Sequence, residues 1–318
     1  MRIAIFCPLE LGSMLCAMPA IRCVKKNFPQ AKLYVIGSPG MEEFIMRYKF
    51  VRDFIPFSFP KLESEDNFPL DNVEEFVQDI CELKVDLLIQ LYGNGSGIND
   101  LLKRCEAKQI VGFCPDELSA DSSWMVYPDG MYEVDRYLKL LRYIGCVVTE
   151  DDYRMEFPIN SGDIDEFSLF ENLLNKKYAV IHIARRGIDD WCPFDDFSLL
   201  ARYLQEKNYE IILTGRGAED ELVTPMKWLK SANATNLLGR TNLGQFACLL
   251  KNACVFISNS AGASHFARAL ETKSMVLSLD IEPRNSLIKN NNLHYNYDAI
   301  AELDFSALSK DLNRLISS

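Results

Sequence analysis

The stretch RIAIFCPLELGSMLCAMPAIRCVKKNF, residues 2–28, decides the fold class. It begins with an uninterrupted apolar, β-prone run at 2–7 and passes through a turn that contains Gly12. From residue 14 onward, apolar residues recur at helical spacing up to a basic last turn. A strand that is apolar throughout is typical of a parallel sheet covered on both faces. The stretch therefore predicts the first strand–turn–helix unit of a doubly wound α/β sheet.

The same alternation of strand-like and helix-like segments continues along most of the chain. It covers residues 31–145 and returns at 178–280. Between 150 and about 175 the pattern breaks into acidic, turn-rich sequence, and the domain boundary is expected there. We expect two Rossmann-like domains, residues 1–160 and 161–318, facing each other across a cleft. The last helix could return to the N-terminal domain.

Composition and charge limit the class of protein. With 48% hydrophobic and 25% charged residues among 318, the chain has the composition of a globular protein. A net charge of −11 argues against a nucleic-acid-binding groove. The ten cysteines show neither C-x-x-C pairs nor zinc-ligand spacing, and no signal peptide or membrane-spanning run is evident. We expect reduced thiols, most of them in the core, and a cytoplasmic protein.

The most informative strand end lies in VFISNSAGASHFARAL, residues 255–270. Doubly wound sheets bind ligands at the carboxyl ends of their strands. Small residues at the start of a helix expose backbone N–H groups, and their positive potential suits a diphosphate. The candidates for this anion site are Asn259, Ser260, Gly262, Ser264 and His265. Alternatively, Ser260 only caps the helix and His265 is a core histidine.

A second strand end is IHIARRGIDDWCP, residues 181–193. His182 is on the strand, and Arg185 and Arg186 follow at its carboxyl end, where guanidinium groups could clamp a phosphate. The alternative is a solvated arginine pair that Asp189 and Asp190 neutralise.

Two glycine-containing loops follow other strands. In ILTGRGAEDE, Gly215 ends a strand and Glu219 could accept hydrogen bonds from a ribose, although a carboxylate is also favoured at a helix start. LYGNGSGIND, residues 91–100, lacks the full dinucleotide spacing and is interpreted as a flexible loop over the cleft. Asn94 in this loop and Gly12 are the acceptor-side candidates.

Several other classes of site lack their sequence signals. The only D-x-D-like residues, 163–165, fall in the expected linker, and the chain has three histidines, so no metal site is predicted. A Ser–His–Asp hydrolase would need a G-x-S-x-G turn. A nicotinamide-dependent oxidoreductase would need the complete dinucleotide fingerprint with its acidic residue.

Five segments, in their order and spacing, resemble glycosyltransferase family 9, the ADP-heptose:lipopolysaccharide heptosyltransferases. They are LGSMLCAMPAIRCVKKNFP, the His182 strand with Trp191 and Pro193, LTGRGAEDE, the run at 236–270, and LSLDIEP before Arg284. The resemblance implies a GT-B fold, with the acceptor bound mainly by the first domain and the nucleotide sugar by the second. It also implies inverting heptose transfer from ADP-heptose to a lipopolysaccharide core or related glycan, without metal or cofactor.

The sequence departs from the family at positions of catalytic importance. Ser13 stands where the family has its catalytic Asp, and Ser260 replaces the Asp of the nucleotide loop. Near Trp191, the region of the family's phosphate-binding Lys holds Asp189 and Asp190. A hydroxyl is a far weaker base than a carboxylate.

Two compensations for these changes are expected. Glu10, three residues before Ser13, is the candidate for a relocated base, and Arg185 and Arg186 could replace the lysine charge. The alternative is a degenerate family member that binds a nucleotide sugar or a partner without turnover. The expected location is the cytoplasm, with peripheral attachment to the inner face of the bacterial inner membrane as an option, and no nucleic-acid partner.

Overall fold

A computed structural model describes the chain over residues 1–58, 70–168, 176–183, 194–215, 234–259, 261–278, 293–298 and 304–317. The chain divides into two compact units, Met1–Arg154 and Met155–Ser318. This division falls slightly before the boundary expected from the sequence. Arg185, Arg186, Asp189, Asp190, Trp191, Glu219 and Ser260 lie outside the described residues.

The first unit is a parallel sheet with helices. Its strands are β1 (Arg2–Phe6), β2 (Lys32–Gly37), β3 (Asp53–Pro56), β4 (Leu87–Gln90), β5 (Gln109–Cys114) and β6 (Trp124–Val126). Its helices are α1 (Leu11–Asn27), α2 (Glu42–Met46), α3 (Leu70–Leu83), α4 (Ile98–Lys103) and α5 (Glu133–Tyr143), with 3₁₀ turns at Pro39–Met41 and Glu150–Tyr153. The strand order is β3-β2-β1-β4-β5-β6, and every pairing is parallel. This is the order of a dinucleotide-binding Rossmann sheet.

The second unit repeats this architecture. Its strands are β7 (Tyr178–Ile183), β8 (Glu210–Gly215), β9 (Thr235–Asn236), β10 (Val255–Ser258), β11 (Ser274–Ser278) and β12 (His294–Asp298). Its described helices are α6 (Ser161–Phe167), α7 (Phe194–Glu206), α8 (Leu243–Asn252), α9 (Ala261–Ala269) and α10 (Phe305–Ser317). The order β12-β11-β10-β7-β8-β9 is again the Rossmann order, and all pairings are parallel. The expectation of two Rossmann-like sheets is confirmed.

Both sheets are buried on their two faces, which explains why their central strands are apolar throughout. All four residues of β4 are buried, as are four of the five in β1. In the first unit, the Phe6 ring contacts Phe57 and Phe76 at centroid distances of 5.4 and 6.3 Å. In the second unit, the α10 residues Leu308, Leu312 and Leu315 are fully buried in the core that also contains α7. The last helix thus packs within its own unit.

Local details differ from the sequence expectations. Helix α1 begins at Leu11 because the Glu10 carbonyl already accepts the Met14 N–H at 2.8 Å, so Gly12 and Ser13 belong to the first helical turn. The acidic segment 150–175 contains α6, which begins with a capping box. There, the Asn160 side chain accepts from the Asp163 N–H, and the Asp163 carboxylate accepts from the Asn160 N–H.

The described cysteines agree with the reduced thiols expected from the sequence. Within the described ranges, nine cysteines are free thiols and seven of them are buried. No helix in that part of the chain is both long enough and apolar enough to cross a lipid bilayer.

Candidate functional site

The first turns of α1 and α5 meet at the carboxyl edge of the first sheet. α1 follows β1 and α5 follows β6, and the carboxyl ends of parallel strands share one edge. Ser13, in the first turn of α1, donates a hydrogen bond of 3.1 Å from Oγ to Oε1 of Glu133, the first residue of α5. Both side chains are half-buried. The structure therefore places a carboxylate directly beside Ser13.

The two carboxylate oxygens of Glu133 differ in their hydrogen bonding. Oε1 accepts from Ser13, whereas Oε2 is buried and accepts no hydrogen bond from the residues that the structure describes. Burial raises the pKa of Glu133, while the Ser13 hydroxyl, the Cys16 thiol and the positive charge of Arg136 oppose that rise. A carboxylate in this state favours taking up a proton more than an ordinary surface glutamate does.

Arg136 supplies a fixed positive charge one helical turn after Glu133. Its side chain is almost buried and donates to the Tyr127 hydroxyl and, at 2.8 Å, to the Met131 carbonyl. The guanidinium carbon lies 4.3 Å from the centroid of the Tyr127 ring, a cation–π distance. These contacts hold Arg136 in place, so its charge acts on Glu133 from a constant position.

Glu10, the base candidate from the sequence, is at the surface. Glu10 is the N-cap residue of α1, and its backbone is extended. The residue is exposed, and its side chain makes no capping hydrogen bond. Gly12 in the same turn is buried. Nothing in these contacts tests a catalytic role for Glu10, which stays a prediction.

The glycine-containing loop after β4 borders a polar cavity. The Asn94 Oδ1 accepts the Ser96 N–H at 3.0 Å, so this exposed side chain organises the loop. Gly95 has a φ of +83°, and a Cβ there would lie 2.3 Å from the Phe113 carbonyl oxygen, so only glycine fits. The adjoining cavity measures about 530 Å³, and its lining includes Gly95, Asn99, Lys103, Ser119, Asp121 and Trp124.

In the second unit, His182 lies in a polar row across three neighbouring strands. It pairs in register with Ser258 of β10 on one side and with Thr214 of β8 on the other. A hydrogen bond joins His182 Nδ1 and Thr214 Oγ1, which are 3.1 Å apart, and the imidazole packs 5.3 Å from the Phe246 ring. The imidazole orientation is therefore fixed at the carboxyl end of the sheet.

The predicted anion loop lies where the strand order of this sheet reverses. From β7 the chain proceeds to β8 on one side, and from β10 to β11 on the other, so the β7–β10 boundary is the topological switch point. Asn259 follows β10 at this boundary and is half-buried, as is Gly262. Ser264 and His265 in α9 are 0% and 2% exposed. Gly215 ends β8, and its carbonyl accepts the Gly239 N–H at 3.0 Å.

The predicted residues that the structure describes are divided between the two units. One group contains Glu10, Gly12, Ser13 and Asn94 in the first unit, and the other contains His182, Gly215, Asn259, Gly262, Ser264 and His265 in the second. The sequence interpretation missed Glu133, which begins a helix after the short, unpredicted strand β6. Its signal was weak because an acidic residue in a first helical turn is common for helix stability alone.

A family model and a relative of known function both match parts of the two units. The model of glycosyltransferase family 9 (heptosyltransferase) matches residues 101–279, more than half of the chain. Lipopolysaccharide heptosyltransferase 3 of Escherichia coli K12 is 23% identical over 270 residues, which cover 82% of this chain and 77% of that protein.

Two solved structures are similar to this chain over nearly its whole length. The glycosyl transferase family 9 structure from Veillonella parvula has a TM-score of 0.81 at 14% identity, covering 100% of this chain and 98% of that one. The Escherichia coli heptosyltransferase WaaC with ADP has a TM-score of 0.74 at 17% identity, with coverages of 99% and 100%. These similarities confirm the expected GT-B fold class.

Proposed function

The chain belongs to glycosyltransferase family 9, and we propose that it transfers a heptose from ADP-heptose to a lipopolysaccharide core or a related surface glycan. One observation carries this proposal. The family match covers most of the second sheet, and the anion loop predicted from the sequence falls at the switch point of that sheet. Doubly wound sheets bind nucleotides at such a point.

The nucleotide sugar is proposed to bind the second unit. Backbone N–H groups at the start of α9, near Asn259, Ser260 and Gly262, would hold the diphosphate. His182, fixed by Thr214, is in place to donate or accept a hydrogen bond at the same edge. The further proposed contacts are Arg185, Arg186, Gly215, Glu219, Ser264 and His265. Support also comes from the similar WaaC structure, which contains ADP.

The acceptor is proposed to bind the first unit. The cavity of about 530 Å³ beside the glycine-containing loop is lined by amide, hydroxyl, carboxylate and ammonium groups and by Trp124. Such a mixture suits a sugar, because hydroxyls pair with the polar groups and the apolar sugar face packs on an indole. Asn94 and Gly12 stay in this proposal as acceptor-side residues.

The proposed reaction is a single displacement with inversion and without metal. The acceptor oxygen forms a bond to the anomeric carbon, and the bond from that carbon to the diphosphate oxygen breaks. The diphosphate leaves with the electron pair, and its developing charge is held by backbone N–H groups and by Arg185 and Arg186. The acceptor proton passes to a base. Since the proposed acceptor is lipid-linked, the reaction would take place at the cytoplasmic surface of the inner membrane.

Product analysis tests this function. The purified protein is incubated with ADP-heptose and a lipopolysaccharide core oligosaccharide, and the products are analysed by mass spectrometry. We expect a heptose added to the acceptor and release of ADP. Absence of transfer above background, with a panel of other nucleotide sugars also inactive, would contradict the proposal.

A second candidate is a family member that binds a nucleotide sugar without turnover. It is favoured by the neutral Ser13 at the position of the family's Asp. Calorimetry would then show binding of ADP-heptose with no product from any acceptor. Measurable transfer by the wild-type protein would exclude this candidate.

A further inference from the structure

We infer that Glu133 is the carboxylate that takes the proton from the acceptor hydroxyl. This role rests on the proposed transfer and names its base. The sequence candidates were Glu10 and the neutral Ser13, whereas the structure brings a different carboxylate to the same turn. Only the fold brings Glu133 to Ser13, because the two residues are 120 positions apart in the chain.

The position of Glu133 suits a base. Parallel strands direct their following loops and helix starts to one edge, and Glu133 begins the helix that follows β6 at that edge. The Ser13 hydroxyl holds Oε1 at 3.1 Å, which fixes the orientation of the carboxylate. Oε2 is buried and accepts no hydrogen bond from the described chain, so the half-buried carboxylate keeps unused acceptor capacity beside Ser13.

The surroundings of Glu133 balance two requirements of a base. A base must be ionised before the reaction, and it must hold the proton well once it has taken it. Ser13, Cys16 and Arg136 favour the ionised form, as does the positive end of α5 on which Glu133 lies. Burial favours the protonated form and raises the pKa of Glu133.

The inferred step transfers one proton from the acceptor hydroxyl to Glu133. As the acceptor oxygen bonds to the anomeric carbon, its proton moves to the Glu133 carboxylate. The bond from the anomeric carbon to the diphosphate breaks, and the nucleoside diphosphate keeps the electron pair. The protonated Glu133 then returns its proton to water after product release.

Two substitutions at one position separate charge from shape. Glu133→Gln keeps an oxygen that can accept from Ser13 but removes the basic group, so kcat should fall by a factor of about 10² to 10⁴. Glu133→Asp keeps the charge on a shorter side chain and should retain more activity than Glu133→Gln. Asp135→Asn removes the same charge from the same helical turn and should leave kcat unchanged. Calorimetry should give the same affinity for ADP-heptose in all four proteins.

Azide distinguishes a lost base from a damaged protein. Azide is already an anion and needs no deprotonation to attack the anomeric carbon, so its transfer does not require a base. Glu133→Gln should therefore form heptosyl azide at the wild-type rate while failing to transfer to the hydroxyl acceptor. A thermal unfolding midpoint close to that of the wild type confirms that the variant is folded.

The possible results separate the inference from the proposed function. If wild-type protein transfers heptose and Glu133→Gln does so equally well, the role of Glu133 is overturned and the proposed function stands. Loss of transfer in Glu10→Gln with full activity in Glu133→Gln would assign the base to Glu10 instead. If Glu133→Gln loses azide transfer as well, Glu133 is not acting as a base. An inactive wild type would overturn the proposed function, and this role with it.

Discussion

Ser13 Oγ donates to Glu133 Oε1 across 3.1 Å, although the two residues are 120 positions apart in the chain. The bond joins the first turns of α1 and α5, which follow strands at the same edge of one parallel sheet. A hydroxyl at position 13 can therefore be a hydrogen-bond donor to a neighbouring carboxylate, a role in which its own weak basicity does not matter.

Moving the carboxylate between these two positions tests their relationship. Ser13→Asp places a second carboxylate beside Glu133, and two such groups resist ionising together. We expect Ser13→Asp to lower the unfolding free energy by about 1–3 kcal/mol at neutral pH. The decrease should be smaller at acidic pH, where one of the two carboxyl groups is protonated.

The double variant Ser13→Asp/Glu133→Gln should lack this loss of stability. Its kcat should be at least about tenfold higher than that of Glu133→Gln. Thermal unfolding and kcat measurements check both expectations; no regain in the double variant would contradict them.

The orientation of His182 should affect donor binding. Thr214→Val removes the hydroxyl that bonds to His182 Nδ1 at 3.1 Å but keeps nearly the same shape. A hydrogen bond is worth about 0.5–1.5 kcal/mol, so the Kd for ADP should rise by a factor of about 2 to 10.

A second threonine of the same unit provides the control. Thr272→Val removes a buried hydroxyl that donates to the Leu250 carbonyl at 2.9 Å, before the amino end of β11 and away from the proposed nucleotide edge. We expect it to lower stability without changing the Kd measured by calorimetry. Equal effects of the two variants on the Kd would argue against a donor site at His182.

The contact of α8 with α6 should require glycine at position 244. A Cβ on Gly244 would lie 1.9 Å from Asp163 Oδ1, and this carboxylate is buried in the capping box of α6. Gly244→Ala should therefore cost about 1–3 kcal/mol of unfolding free energy because the packed helices must separate or Asp163 must leave its cap.

Gly40 offers a matched substitution in open space. No atom of the described residues lies within 4 Å of a Cβ built on Gly40, so Gly40→Ala should change stability by less than about 0.5 kcal/mol. Denaturant unfolding of both variants gives the comparison. A Gly244→Ala protein as stable as Gly40→Ala would show that the two helices do not pack this closely.

His294 should make the protein less stable at acidic pH. The residue is 4% exposed and its Nδ1 lies 2.8 Å from Ser274 Oγ. Burial, helped by the charge of Arg268, lowers the pKa of His294 from 6.5 to about 4. The unfolded chain then binds the proton more readily than the folded chain, so stability falls as the pH drops from 6.5 towards 4. The loss is at most about 1.4 kcal/mol per pH unit.

A variant without the imidazole isolates this contribution. His294→Asn cannot titrate in that range, so its unfolding free energy should fall less steeply between pH 6.5 and 4 than that of the wild type. Subtracting the two curves removes the contribution of all other groups. Parallel curves would show that His294 titrates normally in the folded protein.

The sequence by itself determined the fold class, and it predicted a candidate ligand-binding loop at the carboxyl edge of the second sheet. Runs such as those in β1 and β7 are apolar throughout because parallel strands are covered on both faces, and that pattern is local enough to be recognised. The candidate anion loop was predicted after β10 because doubly wound sheets bind ligands at the carboxyl ends of their strands. The short strands β3, β6 and β12 are hard to recognise from the sequence because a few residues at a sheet edge carry little periodicity.

Only the tertiary structure decided which carboxylate lies beside Ser13. Glu10 is three residues away along the chain, but it is exposed at the start of its helix. Glu133 is distant in sequence, yet the order β3-β2-β1-β4-β5-β6 directs the helices after β1 and β6 to one edge, where α1 and α5 pack together. The physical reason is that hydrogen bonds and burial depend on distance in space. Local sequence patterns fix secondary structure, whereas strand order and helix packing fix which side chains meet.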